Sequence, residues 1–348
     1  MDITRLPEFD NHELVSFIYD PKTGLRGFIA IHNTNLGPAT GGTRYWRYAS
    51  DEEALKDVLR LSRAMTYKCA LAGVPYGGGK AVITSNNPNA PKTKSFLAEY
   101  AQRINFFRGG FYTGEDVGMN KSDIAFLTRR SPYINGRPKG AGDLGRWTAL
   151  GVMAALQGGL KAVFKDDRLI ERSFAFKGLG KVGIEVLSSV CKSGAKNIFV
   201  ADINEKALVR AKKKFPFVRV VNFRKIHGMK VDVYSPNALG NEFTTKNISS
   251  LHCKLICGAA NNQLESVTVG KLLHHRGILY LPDYVVNAGG LISIMAEVGR
   301  GGFQKEKVTK KISAIQKTAE RIIESSKRTR VSTSEVADRL SRDIFSKR

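Results

Sequence analysis

The sequence predicts an α/β protein: an N-terminal mixed α/β domain, a doubly wound parallel-sheet domain behind it, and C-terminal helices. Three observations carry this. The 348 residues suit two domains, each large enough to bury its own core. From Ser173 onward, short apolar segments alternate with helical patterns, as a parallel sheet requires. The run Gly178-Leu179-Gly180-Lys181-Val182-Gly183 falls at the first strand-to-helix junction of that alternation.

In the first domain, Leu14–Tyr19 and Leu25–Ile31 alternate or run apolar around Asp20-Pro21-Lys22-Thr23-Gly24, which predicts a hairpin. Ser50-Asp51-Glu52-Glu53 has the form of a capping box. Leu55, Val58, Leu59, Ser62 and Met65 then follow helical spacing, so this helix delivers Lys68 at or just past its C-terminal end. Gly77-Gly78-Gly79 predicts a tight turn, with Ala81–Thr84 a short strand leaving it. Phe96–Ile104 reads as a helix, and Phe111–Thr113 as a strand end leading into Gly114-Glu115-Asp116-Val117-Gly118. Gly136–Gly145 is rich in Gly and Pro and predicts a linker. The expected boundaries are 1–140 for the first domain, 141–330 for the second and 331–348 for a terminal helix that packs back on the first.

The second domain opens with a helix over Thr148–Phe164. Its expected strands are Ser173–Phe176, Asn197–Ala201, Arg219–Val221, Val231–Tyr234, Leu255–Gly258 and Ile278–Leu281. From Lys305, Val308, Ile312, Ile315, Ala319 and Ile322 recur at spacings of four and three, an amphipathic helix. Ser332–Glu335 is a second capping box.

Composition narrows the class. The chain is 42% hydrophobic and 25% charged, as in globular proteins. No run approaches the ~18 apolar residues of a membrane span. The start, MDITRLPEFDNHE, lacks the apolar core of a signal peptide, so a cytoplasmic location is expected. Cys69, Cys191, Cys253 and Cys257 read as reduced thiols, and Cys253 and Cys257 have no second pair nearby to complete a metal site. The formal charge of +24 raises nucleic acid as a partner, but the basic residues are dispersed without an aromatic-plus-basic motif. A basic surface that favours anionic small ligands is the expectation.

Two places carry chemistry. In Met65–Ile83, Lys68 and Lys80 lie twelve residues apart with apolar chain between them. A desolvated lysine loses its proton more easily and can act as a base, whereas a solvated one on a turn would be inert. In the second domain, the G-x-G-x-x-G run follows the strand Ser173–Phe176, opens a helix at Ile184–Lys192 and precedes the strand Asn197–Ala201. This is the Rossmann-type dinucleotide fingerprint. Gly178 makes the turn, Gly180 lets pyrophosphate approach the backbone, and Gly183 lets helix pack on strand. Asp202 lies nineteen residues past Gly183, where a carboxylate accepts from ribose hydroxyls and repels a 2′-phosphate. NAD is therefore expected over NADP, with Lys206 softening the preference. A fingerprint in mid-chain leaves substrate to the first domain and the reaction to the cleft between the two.

Gly41-Gly42-Thr43-Arg44, Met65–Ile83, Gly114–Gly118, the G-x-G-x-x-G run, Ser235–Gly240, Gly258–Leu264 and Pro282–Gly290 occur in this order. Together they resemble the Glu/Leu/Phe/Val dehydrogenases, and most the leucine dehydrogenase branch, over roughly residues 10–340. The resemblance implies reversible, NAD-dependent oxidative deamination of an L-amino acid to a 2-oxo acid and ammonia. It implies that Lys68 pairs with the substrate carboxylate, Lys80 activates water, and Asp116 moves protons at the amino nitrogen. Backbone at Gly41 and Gly42 would line the polar end of the substrate. Thr148, Asn261 and Asn262 would lie near the nicotinamide, Asn262 on the substrate side, with Asn287 close by. Lys181, Val182 and Ala238 would join the glycines around the dinucleotide. A homo-oligomer built through the first domain is also implied. Without the joint pattern, Lys68 is an ordinary helix-end lysine, Asp116 a helix cap, and the asparagines turn formers.

In glutamate dehydrogenases a lysine before Gly-Gly-x-Arg receives the distal carboxylate. Here Thr40 stands there, so a glutamate side chain would lack its cation. Gly114, Leu291 and Ile294 would shape the rest of an apolar pocket, without separating leucine, valine, isoleucine and phenylalanine. Gly145-Arg146-Trp147 and Cys69 depart from the family pattern near the site. The alternative to an enzyme is an amino-acid or nucleotide sensor on the same fold, against which Lys68, Lys80 and Asp116 argue.

Overall fold

The computed structural model describes residues 2–136, 140–298 and 302–346. The chain forms two compact units: Met1–Gly142 with Ile294–Phe303 and Ser341–Arg348, and Asp143–Ser293 with Gln304–Leu340. Of the expected linker Gly136–Gly145, residues 137–139 lie outside the described residues, and Leu144 and Gly145 already belong to a helix.

The first unit begins with the hairpin β1 (Leu14–Asp20) and β2 (Leu25–Asn33), closed at Gly24, whose φ is +76° and whose N–H donates to Asp20 O. Then come β3 (Ala39–Thr40), β4 (Thr43–Trp46), helix α1 (Asp51–Ala72), β5 (Gly77–Thr84), α2 (Lys94–Asn105), β6 (Phe111–Tyr112) and α3 (Lys121–Leu127). The sheet order is β1-β2-β5-β3-β6, with β4 also on β5. Strand alternation splits the core. Ala30 and Val82 face Leu55, Val58 and Leu59 of α1, whereas Ile29, Ala81 and Ile83 face Phe96, Tyr100 and Ile104 of α2. Lys80 shares the parity of Val82 and belongs to the α1 side.

Two expectations in this unit are corrected. Gly77–Gly79 form no turn: they are the first residues of β5, paired to β2 and β3, and none has a positive φ. Glycine is required there by close approach. A Cβ on Gly78 would lie 2.1 Å from Thr66 N on α1, and one on Gly79 2.9 Å from the Phe111 ring. Secondly, α1 runs on to Ala72, so Lys68 lies about one turn inside the helix, which ends at Gly73 with φ +62°.

The second unit contains α4 (Leu144–Phe164), β7 (Ser173–Lys177), α5 (Lys181–Lys192), β8 (Asn197–Ala201), α6 (Glu205–Lys214), β9 (Arg219–Val220), β10 (Val233–Pro236), β11 (Leu255–Ile256), α7 (Val267–His275), β12 (Leu279–Tyr280) and α8 (Asp283–Val286). After them come α9 (Gly289–Val298), which passes into the first unit at Ile294, α10 (Lys305–Thr329), and α11 (Thr333–Phe345), which passes into the first unit at Ser341. All strand pairs are parallel, in the order β12-β11-β10-β7-β8-β9. Several strands are shorter than expected. Val231, Cys257, Ile278 and Leu281 are buried but lie outside the strands, because an apolar run reports burial rather than ladder pairing. Helix α10 presents Val308, Ile312, Ile315, Ala319 and Ile322 as its buried face. Among the described residues, no helix is long and apolar enough to cross a membrane.

Candidate active site

Lys80 and Asp116 form the centre of the first unit's charge network. Lys80 is buried on β5 at 6% exposure, and its Nζ lies 2.8 Å from Asp116 Oδ2. Asp116 lies beyond β6 and caps no helix, since α3 starts at Lys121 and takes Asn120 as its cap. Gly42 admits this carboxylate: a Cβ there would come within 2.9 Å of Asp116 Cβ. A second cation, Arg44 of β4, reaches the same oxygen, with Nε at 3.3 Å. Burial pushes the Asp116 carboxyl up, but the Lys80 ammonium and the Arg44 guanidinium outweigh it and hold it well below the usual carboxylate range.

The other expected substrate-side residues lie in and just after β3, on α1, beyond β6 and on α9. Thr40 is buried in β3, in register with Gly78 and Tyr112. Gly41 packs on Gly79, whose carbonyl oxygen a Cβ would meet at 1.9 Å, and its N–H donates to Tyr112 O. Gly114 accepts from Thr43 N. Lys68 is half-buried on α1, the helix that packs against Gly78. Leu291 and Ile294 are half-buried, three residues apart on α9, and so on one helix face.

In the second unit, the glycine loop joins β7 to α5. Gly178 has φ +97°, donates to Ala201 O, and has no room for a Cβ, which would lie 2.6 Å from Ala238 N. Gly183 abuts Gly178 O and Asn237. Gly180 differs: nothing lies within 4 Å of its Cβ position, and it gives α5 no side-chain cap. Lys181 is exposed and Val182 half-buried in the first turn. Asp202, the residue after β8, meets this loop, with Oδ2 accepting from Leu179 N at 2.5 Å and Oδ1 from Asn204 N at 2.8 Å. An open helix N-terminus with a floor of backbone N–H groups fits a pyrophosphate.

In the same unit, Thr148 opens the second turn of α4, its hydroxyl donating to Leu144 O. Asn287 Nδ2 donates to Ala259 O at 3.1 Å and to Asn261 Oδ1 at 2.8 Å, while its buried Oδ1 has no hydrogen-bond partner. Asn262 adopts φ +51°, held by its N–H to Asp283 Oδ2. All four cysteines are free and buried, and no group of three or more His, Cys, Asp or Glu among the described residues could hold a metal ion.

Sequence reasoning gave no role to Arg44, Asp57, Tyr48 or Asp283. Asp57 carried a signal: it sits beside Leu55, Val58 and Leu59 and is buried at 9%. A carboxylate so placed needs a cation, and Arg44 Nη1 supplies one at 2.8 Å.

The model of the Glu/Leu/Phe/Val dehydrogenase dimerisation domain matches residues 12–133. That of the glutamate/leucine/phenylalanine/valine dehydrogenases matches residues 140–341. A phenylalanine dehydrogenase of Caldalkalibacillus thermarum is 41% identical over 355 residues, covering 100% of this chain and 95% of that protein. A leucine dehydrogenase of Geobacillus stearothermophilus is 37% identical, covering 99% and 93%. The crystal structure of L-tryptophan dehydrogenase from Nostoc punctiforme superposes with a TM-score of 0.82 at 36% identity, covering 97% and 96%. With both halves of the chain matched and relatives this similar along its whole length, the protein belongs to the Glu/Leu/Phe/Val dehydrogenase family of amino-acid oxidoreductases.

Proposed function

We propose that this chain catalyses the reversible, NAD-dependent oxidative deamination of an apolar L-amino acid to its 2-oxo acid and ammonia. The observation that carries the reading is the buried Lys80–Asp116 pair. Lys68 holds the substrate carboxylate, and backbone at Gly41 and Gly42 lines its polar end. Asp116, kept ionised by two cations, is ready to take a proton from the substrate ammonium. The bound NAD supplies the hydride acceptor. Lys80 takes a proton from the water that adds to the substrate's imine carbon. It does so after its own proton has passed to solvent, and Asp116 returns the proton it took to the amine that leaves. Gly178, Gly180, Lys181, Val182, Gly183 and Ala238 hold the dinucleotide. Asp202 favours the free ribose hydroxyl of NAD over the phosphate of NADP. Thr148, Asn261 and Asn287 serve the nicotinamide end, where the orphaned Asn287 Oδ1 offers an acceptor, and Asn262 serves the substrate.

A buried Thr40 brings no cation to a distal carboxylate, and the resemblance that names Leu291, Ile294 and Gly114 as side-chain neighbours supplies only apolar groups. The relatives' names, phenylalanine and leucine dehydrogenase, support aromatic and branched-chain side chains alike. We place the reaction in a cytoplasmic homo-oligomer that assembles through the first domain, residues 1–140, with cofactor on residues 141–330. Initial rates with a panel of L-amino acids and either NAD or NADP test the proposal. Reduction of NAD by apolar substrates, little with glutamate and less with NADP, is expected; no reduction with any amino acid would refute it.

A further inference from the structure

Arg44 contacts both the Lys80–Asp116 pair and a second carboxylate, that of Asp57. Its Nε lies 3.3 Å from Asp116 Oδ2, the oxygen that Lys80 Nζ also contacts at 2.8 Å. Its Nη1 lies 2.8 Å from Asp57 Oδ2. Asp57 is itself fixed: Tyr48 OH donates to Oδ2 at 2.7 Å and Arg60 Nη2 to Oδ1 at 3.1 Å. Tyr48 follows β4, Asp57 and Arg60 belong to α1, Lys80 to β5, and Asp116 lies beyond β6. The guanidinium therefore ties four parts of the first unit together. A planar, permanently charged fork suits this bridging role, and lysine cannot reproduce both contacts.

The charge has a chemical consequence. Two cations crowd one carboxylate oxygen. Because Arg44 keeps its proton, it cannot relay one; any proton that leaves this cluster leaves Lys80. A second cation held on the same oxygen repels the first and keeps Asp116 ionised when Lys80 becomes neutral. We propose that Arg44, anchored by Asp57, Tyr48 and Arg60, is a positioning residue that sets the charge state of the Lys80–Asp116 pair. This inference rests on the acid–base roles proposed above for that pair.

The test reads Lys80 itself, without turnover. Competitive acetylation with acetic anhydride across a pH series, resolved by mass spectrometry of the Lys80 peptide, gives the pH at which the amine becomes reactive. In Arg44→Gln this onset moves up by about one pH unit relative to the native chain, and the acid limb of the rate profile moves up with it. Arg44→Lys restores part of both shifts, which a merely structural role would not predict. Should Arg44→Gln fail to fold, Arg44→Met combined with Asp57→Leu removes both partners, leaves neither of the two charges alone, and should move the onset the same way. An unchanged Lys80 onset in the folded variants overturns the proposal. A chain that oxidises no amino acid yet shows the shift keeps the charge control and loses the catalytic reading. One that turns over with an unmoved onset does the reverse.

Discussion

The two units prepare their sites by different means. In the first, the working groups are charged side chains on separate elements, held by one another: Lys80 and Arg44 on Asp116, and Arg44, Arg60 and Tyr48 on Asp57. In the second, the glycine loop works through backbone geometry, with Gly178 turned to φ +97° and Gly180 left open above α5. The glycines differ accordingly. Those of β5 let α1 and Phe111 close in, whereas nothing lies within 4 Å of the Cβ position of Gly180. Buried charge makes a site sensitive to pH and to the loss of any partner, while a backbone site is sensitive to a single added Cβ.

Substitutions at the two kinds of glycine separate these designs. Gly78→Ala drives a Cβ against backbone at 2.1 Å and should cost about 3 kcal/mol or more in denaturant unfolding. A fold unaffected by it would return Gly78 to a flexible turn. The next largest effect is acid sensitivity of the first unit. Burial, with His12 close by, pushes the His32 imidazole down to about 4, and its Nδ1 lies 2.8 Å from the Thr66 hydroxyl. An unfolded histidine takes its proton first, so stability is full above about pH 6.5 and falls with pH, with the loss complete near pH 4. Up to about 3 kcal/mol is at stake. Hydrogen exchange should show β2 and α1 opening across this window, and His32→Asn should flatten the response; equal loss without His32 would refute the assignment. The smallest effect is Gly180→Ala, whose Cβ meets nothing within 4 Å. It should leave the melting temperature alone and weaken NAD binding by about tenfold or more. Unchanged affinity would remove the loop from the dinucleotide site.

The same contrast explains what was legible in the sequence. The parallel sheet, the glycine loop and Asp202 lie close together along the chain, and strand, turn and helix have local signatures. The first unit was harder. Gly77–Gly79 look like a turn in the sequence, because their reason for being glycine lies across space, on Thr66 and Phe111. Lys68 was placed at a helix end because the apolar stripe fades at Met65, while α1 continues through Tyr67 and Cys69, buried against other partners. Arg44 stood in a quoted motif without a role, since nothing local in the sequence links it to Asp57 and Asp116, 13 and 72 residues away.

The central claim is that the buried Lys80–Asp116 pair does acid–base work on an amino acid. Turnover of Lys80→Ala, read alongside NAD affinity by fluorescence with the best substrate of the panel, tests it most directly. The account predicts a fall in turnover of ~10³-fold or more with NAD affinity essentially unchanged. Turnover close to that of the native chain would contradict it.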